Sequence, residues 1–172
     1  RAATRLTTLG FTLTNESLAL FPYRQAALFL CDALGTLRLS AASGLVSVAE
    51  DSPYTTWLSR YVRSLPALEG PTPLDLADAA DDIADGWVEW LPGHLLAVPL
   101  SAPDGTRVGL ALYAREQAWL DDEKALVARL HATYGYCAWA LSRSQPRFVE
   151  RLGRWRRTRA ARWTALALAA SL

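Results

Sequence analysis

"LLAVPLSAPDGTRVGLALYARE", Leu95 to Glu116, sets two extended apolar runs, Leu95–Ala102 and Arg107–Glu116, on either side of Asp104-Gly105. An Asp-Gly pair between alternating apolar runs is a strong local signal for a β-hairpin, because a type I′ turn needs positive φ at its centre. In the second run Val108, Leu110 and Leu112 share one face, and Gly109, Ala111 and Tyr113 share the other. Pro99 has no N–H to give a ladder, so the first strand is expected at a sheet edge or with a bulge there.

The same reading extends outward. "QAALFLCD" (Gln25 to Asp32) and "TLRLSAA" (Thr36 to Ala42) flank a turn around Gly35 and predict a second hairpin. Ahead of them, Leu6, Leu9 and Leu13 have helical spacing, ended by Asn15, Phe21 and Pro22. Between the hairpins, "DSPYTTWLSRYVRSL" predicts a helix with Ser52 as N-cap and Pro53 at the first position, placing Trp57, Tyr61 and Leu65 on one face. "PALEGPTP" (Pro66 to Pro73) predicts a loop, and "DLADAADDIAD" (Asp75 to Asp85) a short helix or lid. A long helix closes the body, with Asp121 as N-cap, Asp122 and Glu123 near its positive end, and a stripe of Leu126, Leu130, Tyr134, Cys137 and Leu141. Helix, hairpin, helix, short strand, hairpin and helix make an α+β domain with helices around an antiparallel sheet.

Chemistry-bearing residues are few. Cys31 and Cys137 lie far apart in apolar runs, which favours buried thiols in a reducing compartment over a disulfide. With His94 and His131 as the two histidines and no CxxC, no metal site is expected. There is no G-x-S-x-G elbow and no base–nucleophile pairing to read, so the chain is not expected to be an enzyme. Asp75, Asp78, Asp81, Asp82 and Asp85 fit no calcium loop and predict a solvated face. Tyr54, Trp57, Trp87 and Trp90, with His94, are the candidate lining of an apolar ligand pocket; the competing reading is that they fill the core.

The ordered set within "LLAVPLSAPDGTRVGLALYAREQAWLDDEKALVARLHATYGYCAWAL" resembles the GAF domains, which are small-molecule-sensing and regulatory modules. Its elements are a strand ending in Val-Pro-Leu, a turn, a Gly-containing strand, an aromatic near Trp119, an acidic helix cap and a long helix. The resemblance covers roughly residues 5–142. Members that bind cyclic nucleotides carry an Asn-Lys-Phe-Asp-Glu signature, and bilin-binding members attach the pigment through a Cys, often beside a His. The chain matches neither pattern, which disfavours both ligands. Haem through His94 is the remaining cofactor route, but a lone His at a strand entrance is more often structural, so no cofactor is expected.

Charge divides the chain. Residues 1–142 hold ten Lys/Arg against sixteen Asp/Glu, a net of −6, whereas residues 143–172 hold eight Arg and one Glu, a net of +7. Arg151, Arg154, Arg156, Arg157, Arg159 and Arg162 precede Trp163 and an uncharged run to Leu172. An acidic body disfavours nucleic acid as the partner of this tail. An Arg-rich flank, an interfacial Trp and then Ala and Leu is the order found at a cytosolic membrane boundary. The expected organisation is therefore a GAF-like domain (1–142), a basic juxtamembrane helix (143–162) and the start of a transmembrane helix (163–172). These ten uncharged residues cover ~15 Å of a ~30 Å hydrocarbon core. With no Met even at position 1, the chain is expected to be an excerpt of a longer protein.

Positive-inside topology places the domain on the cytoplasmic side of the inner membrane. Phe148, Leu152 and Trp155 extend an apolar stripe, and a homodimer, if one forms, is expected to use these terminal helices. A cytoplasmic GAF-like domain before one span also resembles the N-terminal part of HlyD-type membrane-fusion (periplasmic adaptor) proteins, implying secretion or efflux machinery as partner. The alternatives are the sensor of a membrane-bound signalling protein and a protein-binding scaffold without a ligand.

Overall fold

The computed structural model of the chain describes residues 2–44 and 52–143. These form helices α1 (Ala2–Asn15), α2 (Pro53–Ser64), α3 (Asp81–Trp90) and α4 (Asp121–Arg143). The strands are β1 (Gln25–Cys31), β2 (Leu37–Ala42), β3 (Thr72–Asp75), β4 (His94–Ser101) and β5 (Arg107–Arg115). They make one sheet in the order β2-β1-β5-β4-β3, every pair antiparallel. The fold is α+β, an antiparallel sheet flanked by helices.

Because side chains alternate across a strand, the sheet has two apolar faces and each holds its own core. Phe29, Leu95, Leu110 and Leu112 pack with Trp57, Leu58, Tyr61 and Val62 of α2 and Ile83 and Trp87 of α3. Leu28, Leu96, Val98 and Tyr113 pack on the opposite face with Leu13 of α1, Phe21, Trp119 and Val127 of α4. Ser52 caps α2 as expected, its hydroxyl accepting the Thr55 N–H at 3.2 Å.

The hairpin at 104–105 exists, but its turn is not type I′. Gly105 alone has positive φ (+82°), and Asp104 does not. The Gly105 N–H donates to the Ala102 carbonyl (2.9 Å), and the Ala102 N–H donates to Thr106 (2.8 Å). This is a turn led by Pro103 followed by a left-handed glycine. The first hairpin repeats it, with Gly35 at φ +77° and the Asp32 N–H donating to Thr36 at 2.9 Å. The pairing then steps from Leu100↔Gly109 to Ser101↔Arg107, so Val108 is an extra residue. The bulge turns Val108 away from the face of Leu110 and Leu112 to pack with the Tyr113 side. β4 is not an edge strand; β3 covers it as far as Ala97, and Pro99 lies beyond that last partner, where no ladder bond is lost.

Two other elements differ from expectation. The loop expected over Pro66–Pro73 ends in β3, and α3 continues through Trp90. α4 begins with Asp121 as its first helical residue, and the Glu123 carboxylate accepts the Leu120 N–H at 2.9 Å in the manner of a capping box. The buried face of α4 is Val127, His131, Gly135 and Ala138, one step round from the predicted stripe, and Leu126 is exposed. The reason is close approach: a Cβ on Gly135 would lie 2.5 Å from the Ser101 carbonyl oxygen. Small residues face the sheet, while Leu130 and Tyr134 pack from the side.

Gly86 has a similar role on the other face. The Trp57 indole lies across α3 there and donates Nε1–H to the Ile83 carbonyl at 3.2 Å. An added Cβ would stand 2.6 Å from indole Cε2. Gly→Ala inside a helix ordinarily gains ~1 kcal/mol. Here the overpacking and the lost indole bond reverse the sign, so Gly86→Ala should destabilise by about 2 kcal/mol in urea unfolding. A variant as stable as the parent would show that the indole is not held against the helix backbone.

Two buried polar joints fix α4 to the sheet. The Arg115 guanidinium, at the end of β5, donates to both carboxylate oxygens of Glu123, to the carbonyls of Gln117 (3.0 Å), Ala118 (2.7 Å) and Pro22 (3.3 Å), and lies over the Trp119 ring. The Arg115 bonds hold the Glu123 carboxyl below its ordinary pKa. At His131, Nδ1 lies 2.7 Å from the Val127 carbonyl, which can only accept, so Nδ1 carries the proton. Nε2 is then the acceptor for the Tyr113 hydroxyl at 2.8 Å.

Arg151, Arg154, Arg156, Arg157, Arg159, Arg162 and Trp163 lie outside the described residues, as do the expected juxtamembrane helix beyond Arg143, the span and the Phe148–Trp155 stripe. Among the described residues, no helix is long and apolar enough to cross a membrane.

Candidate functional site

A cleft opens between the sheet and α2, on the face that α3 also covers. Alanines shape its floor. Ala27 of β1 and Ala114 of β5 stand where neighbouring positions carry Phe29 and Leu112, so the sheet is hollow at this end. Tyr54 and Leu58 of α2, Leu91 after α3, and Leu95 of β4 form the walls. The space between the lining atoms, including the part open to solvent, is about 190 Å³.

One polar group interrupts this lining. Gln25 heads the apolar run of β1, and its side-chain oxygen Oε1 is buried with no hydrogen-bond partner among the described residues. A buried acceptor left unmade costs ~1–3 kcal/mol, and this one belongs to a residue that lines the cleft. The apolar surroundings also push the Tyr54 hydroxyl above its ordinary pKa, so it stays neutral at physiological pH.

The candidate pocket residues separate. Tyr54 lines the cleft, and Trp90 packs against it with ring centroids 5.8 Å apart. Trp57 and Trp87 are in the core, Trp57 stacked on Tyr61 at 5.9 Å and Trp87 edge-on to the same ring at 5.4 Å. Their indole N–H groups donate to the carbonyls of Ile83 (3.2 Å) and Pro92 (3.1 Å). His94 stands apart at the start of β4, half exposed, with Nδ1 3.0 Å from Asp75 Oδ1 across the β3–β4 pair. Sequence reasoning missed Gln25, Leu58 and Leu91. A glutamine opening a run otherwise made of Ala, Leu and Phe was the available signal for the first.

Among the described residues, no group of three His, Cys, Asp or Glu side chains is placed to hold a metal ion. The cysteines are both free and partly buried.

No protein-family model matches the sequence, and no curated protein matches it. Solved structures do. A domain attributed to a two-component sensor histidine kinase of Sinorhizobium meliloti 1021 superposes with a TM-score of 0.59 at 19% identity, over 84% of this chain and 95% of that one. The GAF domain region of a protein described as a membrane protein of Geobacter sulfurreducens PCA gives 0.57 at 13% identity, over 81% and 96%. A GAF domain/HD domain protein of Geobacter sulfurreducens gives 0.58 at 17% identity, over 83% and 98%. At these identities the likeness is one of fold: the chain has a GAF-like fold. None of the three is described as a secretion or efflux adaptor.

Proposed function

We propose that the chain is a non-catalytic sensor or regulatory domain, which binds a small molecule in the Tyr54 cleft and serves a membrane-anchored protein from its cytoplasmic side. The observation that supports the sensing role is an apolar cleft inside a GAF-like fold, lined in part by Gln25, whose buried side-chain oxygen has no partner among the described residues. Strands β1, β4 and β5 supply the cleft on one face and bear α1 and α4 on the other, so an occupant that shifts the sheet acts on α4. The non-catalytic reading draws on the histidines. His131 is enclosed and hydrogen-bonded at both nitrogens, and His94 pairs with Asp75 without a hydroxyl or thiol nucleophile bonded to it among the described residues. Native mass spectrometry of the chain purified from its source organism tests the sensing role. A stoichiometric small molecule lost on Leu58→Trp, which fills the cleft, is the expected result.

The anchor rests on the order of Arg-rich flank, Trp163 and uncharged run at Arg151–Leu172. On that order we favour an HlyD-type adaptor of secretion or efflux as the parent, attached to the inner membrane and self-associating through the terminal helices. The second reading, a membrane-bound signalling protein, is favoured by structural neighbours described as a sensor histidine kinase and a membrane protein. Each Arg near an anionic leaflet contributes about 1 kcal/mol, screened by salt. High salt weakens that attraction but not an apolar span, so the full-length protein should stay with the membrane fraction in high salt, with the domain shielded from protease added to spheroplasts. A soluble protein, or a domain digested from outside, overturns the anchor.

A further inference from the structure

Resting on the self-association proposed above, the geometry points to the surface and orientation it uses: α4 packs antiparallel on α4 of a second copy, through the side turned away from the sheet. That side is opposite the buried Val127, His131, Gly135 and Ala138. Leu126, Thr133 and Ala140 recur on it every seven residues, Arg129 and Tyr136 fill the places between them, and Asp122 and Arg143 close its ends; all seven are exposed. Steps of four and three residues make a straight seam, the spacing by which one helix packs along another.

The seam is unusual for a face left to water. A helix on a domain surface ordinarily turns charged and polar residues outward. From Ala125 to Ser142 the sequence of α4 has a single charged residue, Arg129. Tyr136 is 54% exposed and Leu126 39%. Single apolar side chains on a surface are common, but a line of them along one helix marks a contact surface.

The charges on the seam identify the occupant. Neither Asp122 nor Arg129 has an ion-pair partner among the described residues, and Arg143 lies over its own Trp139 ring at 5.0 Å. A parallel copy would set Asp122, Arg129 and Arg143 each against itself, and like charges across an interface are unfavourable. Reversing one helix removes all three clashes. With the two-fold axis between Arg129 and Thr133, Leu126 meets Tyr136 of the second copy. Arg129 then lies within reach of that same ring, where a guanidinium is attracted to the π face. Asp122 comes within one turn of the second copy's Arg143. The small side chains of Ala132 and Thr133 stand near the axis, where the two helices approach most closely. The face is self-complementary in one orientation, which is what a two-fold dimer requires.

Sedimentation of the full 172-residue chain should show a dimer. Tyr136→Arg, which adds a like charge beside Arg129 at an exposed position, should weaken it about tenfold or more and leave the domain folded by circular dichroism. Orientation is read by mixing two chains in which Cys31 and Cys137 are replaced by alanine, one carrying Leu126→Cys and the other Tyr136→Cys. On oxidation these should join to each other and neither to itself. Self-joining of the Leu126→Cys chain, or no joining in chains that still dimerise, would overturn the antiparallel pairing. A dimer indifferent to Tyr136→Arg would overturn this face and leave self-association standing. A chain that is monomeric at every concentration would overturn both.

Discussion

Arg115→Ala should lower the free energy of unfolding by about 3 kcal/mol, the lower end of what removing one partner of a buried ion pair costs. Arg115 is 5% exposed, and its guanidinium makes five hydrogen bonds to four groups on three stretches of chain: Pro22 before β1, the Gln117–Ala118 link, and Glu123 in the first turn of α4. Alanine leaves three carbonyls without this donor and the Glu123 carboxylate without its counter-ion. The Glu123 side chain is 21% exposed and recovers some water, which keeps the loss from reaching the upper end. Arg24 makes the contrast. Its pair with Glu116, at 2.7 Å, has side chains 67% and 56% exposed, so Arg24→Ala should cost less than ~1 kcal/mol. Urea unfolding of the two variants checks both values. Equal effects would mean that Arg115 is hydrated and does not pin α4.

The difference between those arginines marks how much the sequence discloses. The strands around Asp104-Gly105 were legible because alternation and turn chemistry are local, and so was the Ser52-Pro53 start of α2. Val108 was not, because a bulge depends on what the partner strand does at Ser101. The buried face of α4 escaped for a related reason. Large side chains drew attention to Leu126, Leu130 and Tyr134, but Gly135 matters through its distance from the Ser101 backbone, which no spacing within the helix encodes.

The candidate site divides in the same way. Tyr54 and Trp57 stand three residues apart on one helix, and both are plausible pocket residues by type. The Ile83 carbonyl and the gap at Gly86 take Trp57 into the core, and Tyr54 remains at the cleft. Gln25 is a polar residue in the lining of the cleft, yet as a sequence letter it is one polar residue at a strand end. Its place appears only when Tyr54, Leu58 and Leu95, all distant in sequence, line the same cleft.

His131 should make the protein lose stability in acid before its carboxylates titrate. Burial lowers its pKa from 6.5 to about 4, because an imidazolium there would lie 1% exposed among the rings of Tyr113 and Tyr134. Those tyrosines and Tyr23 all have raised pKa values, so they stay neutral and supply no counter-charge. The sign follows from proton counts. Between pH 6.5 and 4 the unfolded chain binds a proton at this position and the folded chain does not, so stability rises with pH across the window. The contribution is complete above pH 6.5 and falls away as pH drops toward 4, by about 3 kcal/mol for one group shifted this far. Asp32, Asp104, Asp121 and Glu123 have lowered pKa values and lose their contributions at still lower pH. His131→Gln keeps an acceptor for the Tyr113 hydroxyl but does not titrate. Urea unfolding from pH 7 to pH 4.5 should therefore show a slope approaching one proton in the parent and a much flatter line in the variant, whatever their absolute stabilities. A slope that survives the substitution would place the acid sensitivity elsewhere and remove His131 from the joint between α4 and the sheet.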